Sequence, residues 1–138
     1  MQVIHKAILA LDVGEKRIGV AIAGNQARLA KPYKTLRRTD QIFAEIQKIV
    51  DDETIESIVV GLPRGLSGQE TAQTKAVKTF GLKIKDAINL PLFWQDEALT
   101  SIKAEAELAN RQTASTKGDV DALAATYILE DYLMANPA

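Results

Sequence analysis

The chain of 138 residues has no cysteine and only one histidine, His5. The first absence removes disulfides, thiolate metal sites and cysteine nucleophiles, and it fits the reducing cytosol. The second leaves no histidine-built metal centre and no Ser-His-Asp triad. Catalysis here would have to run on carboxylates, hydroxyls and lysines. No apolar run approaches the roughly 20 residues that span a bilayer, so no membrane partner is expected. The opening "MQVIHKAILAL" runs straight into Asp12 and Gly14 without a small-residue cleavage site, which argues against a signal peptide. Net charge is only −1, but it is unevenly spread. Residues 1–40 carry eight Lys/Arg against three acids, a balance of +5, which leaves −6 on the remainder. A basic end on a near-neutral chain points weakly to a polyanion, or is simply a solvated face.

With 46% hydrophobic and 25% charged residues, the composition is that of a globular protein, and the length suits one domain over 1–138. Residues 6–13 read as a buried strand because their apolar run is continuous. "GEKR" reads as a turn in which Gly14 can take positive φ. "RIGVAIA" (17–23) is the hairpin partner, and Gly19 within it implies close approach of another backbone or a ligand. A third strand is expected over 28–37, with Pro32 marking an edge or a bulge. Asp40 is the expected N-cap of a helix whose Ile42, Phe43, Ile46, Ile49 and Val50 form one apolar face. A strand over 56–63, the loop "RGLSG" (64–68) with Ser67 as a cap, and a helix over about 70–87 follow. Then come a strand over 90–94, a helix over about 100–110, a polar connector over 111–118, and a last helix over about 119–134. The last helix has Val120, Leu123, Ala124, Tyr127 and Ile128 on one face. Phe43, Phe80 and Tyr127 are expected in the core. A three-strand meander followed by alternating strands and helices implies an α/β fold: a mixed sheet with helices on both faces.

Three acids stand at element ends where side chains could converge. Asp12 ends the first strand, Glu97 follows the last, and Asp121 lies in the first turn of the last helix. The carboxyl ends of parallel strands share one sheet edge, where ligands bind in open α/β folds. The small Ala124 and Ala125 would ease close packing of the last helix across the first strand. Carboxylates without histidine or cysteine suit hard cations such as Mg²⁺ or Mn²⁺. A pair of such ions is a standard device for phosphodiester cleavage. Each acid also has a plainer role: Asp12 as a turn cap, Asp121 as a helix-dipole acid, and Glu97 as a surface charge. Lys16 and Arg17, on the turn beside Asp12, could hold a phosphate. Arg64 with Gly65 and Gly68 could cradle an anion or merely connect strand to helix. Arg111 and Lys117 could close over nucleic acid, and Trp94 could stack a base or pack.

"LDVGEKRIGVAIA", "IVVGLPRGLSG", "WQDEALTS" and "KGDVDALAATYIL" occur in this order. Together they resemble the YqgF (RuvX) family, bacterial relatives of the Holliday-junction resolvase RuvC, over about Lys6 to Leu133. The resemblance implies an RNase H-like five-stranded mixed sheet, three strands as an antiparallel meander, and a cytoplasmic metal-dependent nuclease. Its metal ligands would be Asp12, Glu97 (with Asp96 as the alternative) and Asp121, holding Mg²⁺ or Mn²⁺. Lys16, Arg17, Arg64 and Lys117 would contact nucleic acid. The implied substrate is the 16S rRNA precursor, trimmed at its 5′ end, with ribosomal assembly intermediates as partners and a monomer or homodimer as the acting form. Two departures from the family pattern matter. Gly118 stands where RuvC-type resolvases carry a fourth acid, and Ala98 stands where many relatives have arginine. Three other readings remain: a DNA junction resolvase, which needs a dimer; a non-catalytic RNA- or polymerase-binding module; and an actin-like sugar kinase, which needs two such domains.

Overall fold

The computed structural model describes residues 5–98 and 117–138. The helix expected over 100–110 lies outside them. The unbroken apolar run of β1 (Ala7–Val13) is explained by its place in the middle of a five-stranded sheet of order β3-β2-β1-β4-β5. Ala7, Leu9, Leu11 and Val13 enter one core, while Ile8 and Ala10 enter the other. A strand covered on both faces has no polar side to show. β1 pairs antiparallel with β2 (Arg17–Gly24), and β2 pairs antiparallel with β3 (Lys31–Arg37). On its other side β1 pairs parallel with β4 (Ile55–Arg64), and β4 pairs parallel with β5 (Leu92–Ala98). The mixed sheet read from the sequence is thus observed. Pro32 satisfies both readings made of it. β3 is an edge strand, and its pairing register shifts between Val20 and Ala21, which face Lys34 and Pro32. A residue with no N–H is tolerated at such a place.

The helices divide between the two faces. α1 (Ile42–Asp52) and α2 (Ala72–Ala87) bury Ile42, Ile46, Ile49, Val50, Val77, Phe80 and Ile84 against one side of the sheet. α3 (Lys117–Ala135) buries Ala125, Ile128, Leu129 and Leu133 against the other.

Local details differ from expectation. Asp40 is not the N-cap of α1. Gln41 holds that position without a side-chain cap, and the Gln41 amide is instead taken by Thr39 Oγ1 at 3.2 Å. Ser67 does not cap α2. Thr71 does, in a reciprocal capping box with Thr74, so one pair of hydroxyls satisfies two otherwise orphaned groups. Tyr127 is 42% exposed rather than buried, because the buried stripe of α3 runs through Ala122, Ala125, Leu129 and Leu133 and Tyr127 lies off it. Phe80 is buried and Phe43 half-buried, their rings stacked at 5.4 Å. Among the described residues no helix is long and apolar enough to cross a membrane.

Candidate active site

Strand alternation sorts the candidate acids by face. Asp12 follows Leu11 and precedes Val13, both in the α1/α2 core, so it projects to the α3 side, as Ala10 does. On β5, Phe93 meets Tyr132 of α3, ring centroids 5.9 Å apart. Trp94 lies against Gly81 of α2, which supports its packing role. Continuing the alternation turns Gln95 and Glu97 toward α3 and Asp96 away from it. Asp96 is exposed and pairs with Arg64, Nε to Oδ1 at 3.2 Å. Glu97 is half-buried, and its Oε1 is shut off from solvent. Of the two adjacent acids, Glu97 therefore shares a face with Asp12.

Asp121 reaches the same face through Gly19. Gly19 is the direct cross-strand partner of Asp12. A Cβ on it would stand 1.9 Å from the Asp121 carbonyl oxygen and 2.4 Å from the Asp121 carbonyl carbon. The missing side chain lets the backbone of α3 lie directly on β2. The close approach that Gly19 announced is thus made by the backbone of Asp121. The small residues of α3 play the lesser part: Ala125 is fully buried and Ala124 half-buried. Gly61 makes the corresponding room on β4, where a Cβ would meet the tip of Ile128. Because α3 begins at Lys117, Asp121 lies in its second turn rather than its first, where the helix dipole offers a carboxylate little.

Glu97 sits opposite Pro63, while Leu11 sits opposite Val60. Glu97 is therefore two strands across from Asp12 and two residues further along. Strand spacing and rise put the Cα atoms of Asp12 and Glu97 about 12 Å apart. Among the described residues no three acids are gathered closely enough to hold a metal ion as they stand. Asp121 is already engaged, since Arg17 Nε donates to its Oδ2 at 2.8 Å. The donor chemistry, three carboxylates on one face of one sheet edge, suits a hard divalent cation.

The basic residues fall in different settings. Lys16 is exposed on the hairpin turn. Arg17 leans onto Asp121 and Arg64 onto Asp96. Lys117 opens α3, and its side chain, like residues 99–116 with Arg111, lies outside the described part. The glycine loop is not an open anion cradle. The amides of Gly65, Ser67 and Gly68 donate to Gln69 O, Gln69 Oε1 and Gly65 O, and only Gly68 has positive φ. Gly14 does not use positive φ either. A Cβ there would lie 2.8 Å from the Arg17 carbonyl oxygen, the oxygen that the Gly14 amide bonds at 2.9 Å. Sequence reasoning counted Arg38 only as a charge. Its guanidinium donates to Gly14 O at 2.9 Å and lies 4.2 Å above the Phe80 ring, contacts that no local pattern announces.

An antiparallel meander leading into parallel strands, helices on both faces, and acids at the carboxyl-end edge define an RNase H-like α/β protein. The same fold is found in T. thermophilus RuvC, solved with a Holliday junction substrate. The match has a TM-score of 0.54 and 12% identity, and covers 96% of this chain and 97% of that one. The chain belongs to the RuvX family: that family's profile, described as Holliday junction resolvase, matches residues 6–135. Relatives that bear the name "Putative pre-16S rRNA nuclease" include one from Maridesulfovibrio salexigens. It is 38% identical over 130 residues, spanning 91% of this chain and 96% of that protein. Another, from Chloroflexus aurantiacus, is 40% identical over 132 residues, spanning 93% and 86%.

Proposed function

We propose that this protein is a metal-dependent endonuclease that trims the 5′ end of the 16S rRNA precursor. The observation that supports the reading is that Asp12, Glu97 and Asp121 share the α3 face at one sheet edge in a member of a nuclease family. The names of its relatives supply the substrate. Such a substrate puts the site of action in the cytoplasm, with ribosomal assembly intermediates as partners.

In this reading Asp12, Glu97 and Asp121 would hold Mg²⁺ or Mn²⁺, with Asp121 released from its pair with Arg17. Divalent ions bound there supply an activated water and a counter-charge for the leaving oxygen. The chain's own work is to orient the strand. Lys16 on the exposed turn grips a phosphate beside the scissile one. Arg64 and Lys117 add contacts on either side, Arg64 by exchanging Asp96 for phosphate. With ions held there, hydrolysis would break the P–O3′ bond, the hydroxyl of the water going to phosphorus and its proton to O3′, to leave a 5′-phosphate and a 3′-hydroxyl. The half-buried setting of Asp12 and Glu97 strengthens their hold on a cation relative to an exposed pair.

A second reading, resolution of four-way DNA junctions, is favoured by the description of the family. Against it, Gly118 stands where such resolvases carry a fourth acid. The test is a cleavage assay with Mn²⁺ or Mg²⁺ on a 5′-extended 16S precursor fragment and on a four-way junction, with Asp12→Asn and EDTA controls. RNA cutting that falls by about 100-fold or more in Asp12→Asn and vanishes in EDTA is expected, since removing a ligand costs at least as much as removing its second-shell support. Cutting of the junction alone favours the resolvase. Cutting of neither by the wild type sinks both readings and brings the binding module forward.

A further inference from the structure

The basic excess of residues 1–40 is only partly used by the acid site, and the structure shows where the rest of it goes. β3 lies at the sheet edge and exposes Lys31, Lys34 and Arg37 along its length. Arg37 pairs with Arg17 at the start of β2, so β3 ends at the same sheet edge as Asp12 and the Gly14 turn. Just beyond it, an open cleft of about 390 Å³ lies on the α1/α2 side, lined among others by Arg38, Asp40, Phe43, Phe80 and Lys83.

Arg38 is the unusual element of this cleft. An exposed arginine ordinarily samples many rotamers, and ordering it on binding carries an entropic cost. Here the guanidinium is fixed by the Gly14 carbonyl at 2.9 Å and by the Phe80 ring at 4.2 Å, while its backbone amide bonds Lys16 O at 2.9 Å. Phe80 is in turn backed by Phe43. The residue remains exposed, so a flat cationic platform is presented to solvent already ordered. Guanidinium planes of this kind stack nucleobases. Lys83, exposed on α2, supplies a second positive charge to the same cleft. Asp40 also lines the cleft.

We propose that this cleft is a subsite for one nucleotide of single-stranded nucleic acid, its base on Arg38 and its phosphate on Lys83. The strand would pass over the Gly14–Arg17 turn, along exposed Lys16, from the acid face to the α1/α2 face. The proposal rests on the nucleic-acid reading above but needs neither metal nor cleavage.

The experiment is fluorescence anisotropy of a short labelled single-stranded oligoribonucleotide in EDTA, across a salt series. Wild type, Arg38→Gln and Lys83→Gln are compared, with circular dichroism melts as a fold control. Arg38→Gln should weaken binding about tenfold, the size of one lost base stack. Lys83→Gln should lower the slope of log K against log salt by about 0.7. Lys83 is a surface residue of α2, so its variant decides the question even if Arg38→Gln melts early. Wild-type affinity and slope in a folded Lys83→Gln, or no binding by the wild type, overturn the subsite. If the wild type cuts no substrate but binding still depends on Arg38 and Lys83, the nuclease reading falls and the subsite stands. If it cuts RNA while both variants bind as the wild type does, the subsite falls and the nuclease reading stands.

Discussion

Replacing Gly19 with alanine should separate α3 from the sheet and, with it, Asp121 from Asp12. The new Cβ would stand 1.9 Å from the Asp121 carbonyl oxygen and 3.0 Å from the Ala122 amide nitrogen, where ordinary contact begins near 3.4 Å. Both opposing atoms belong to helix backbone, so no side chain can swing aside, and the helix must retreat by about 1.5 Å. Overpacking of this kind costs up to about 3 kcal/mol, offset by up to about 1 kcal/mol because alanine narrows the unfolded ensemble. The net loss is about 2 kcal/mol. An unfolding entropy of about 2.1 cal/mol/K per residue over 138 residues converts this to a Tm lower by about 7 °C. A misplacement of more than 1 Å at a catalytic acid costs about 100-fold in rate. Thermal melts followed by circular dichroism, and Mn²⁺-dependent cleavage of the precursor fragment by the folded variant below its Tm, measure the two effects. A Gly19→Ala protein with wild-type Tm and rate would refute the argument that this glycine seats the helix and its carboxylate.

Gly61→Ala provides the contrast. Its methyl would meet only the flexible end of Ile128, at 2.3 Å from Cδ1. The expected loss is about 1 kcal/mol, the low end for overpacking, and a urea midpoint shifted as far as that of Gly19→Ala would show that the distinction between backbone and side-chain obstruction is wrong. Arg17→Gln removes the ion pair to Asp121, whose side chains are 36% and 26% exposed. Solvent screening limits the cost to about 0.5–1 kcal/mol. Metal-free melts should show a Tm lower by about 2–3 °C in low salt, narrowing in molar salt; a drop of the same size at both ionic strengths would mean the side chain acts by packing instead.

Much of this protein is legible in its sequence because the signals are local. A short continuous apolar run ended by a turn signal reads as a strand covered on both faces, and β1 is one. A charged four-residue turn between two such runs makes a hairpin. Proline in a strand must lie where no ladder N–H is missed, and Pro32 does. The motifs resembling the RuvX family added the order of the acids along the chain. Helix starts were less legible. Asp40, Ser67, Thr39 and Thr71 are all competent caps in isolation, and the winner depends on where the preceding strand releases the chain.

The sequence by itself determined the order of the strands and of the helices among the described residues, and the mixed sheet. Periodicity and turn chemistry act over a few residues, and a single chain carries them in full. Only the tertiary structure decided that Glu97 and not Asp96 faces α3, because β5 continues past Trp94 and alternation then assigns each side chain. Only it joined Arg17 to Asp121, residues separated by 104 positions. Only it showed that the space left empty at Gly19 is filled by the Asp121 backbone. Each of these depends on which distant backbone arrives at a given surface, and that is fixed by packing the whole chain at once rather than by any stretch of it.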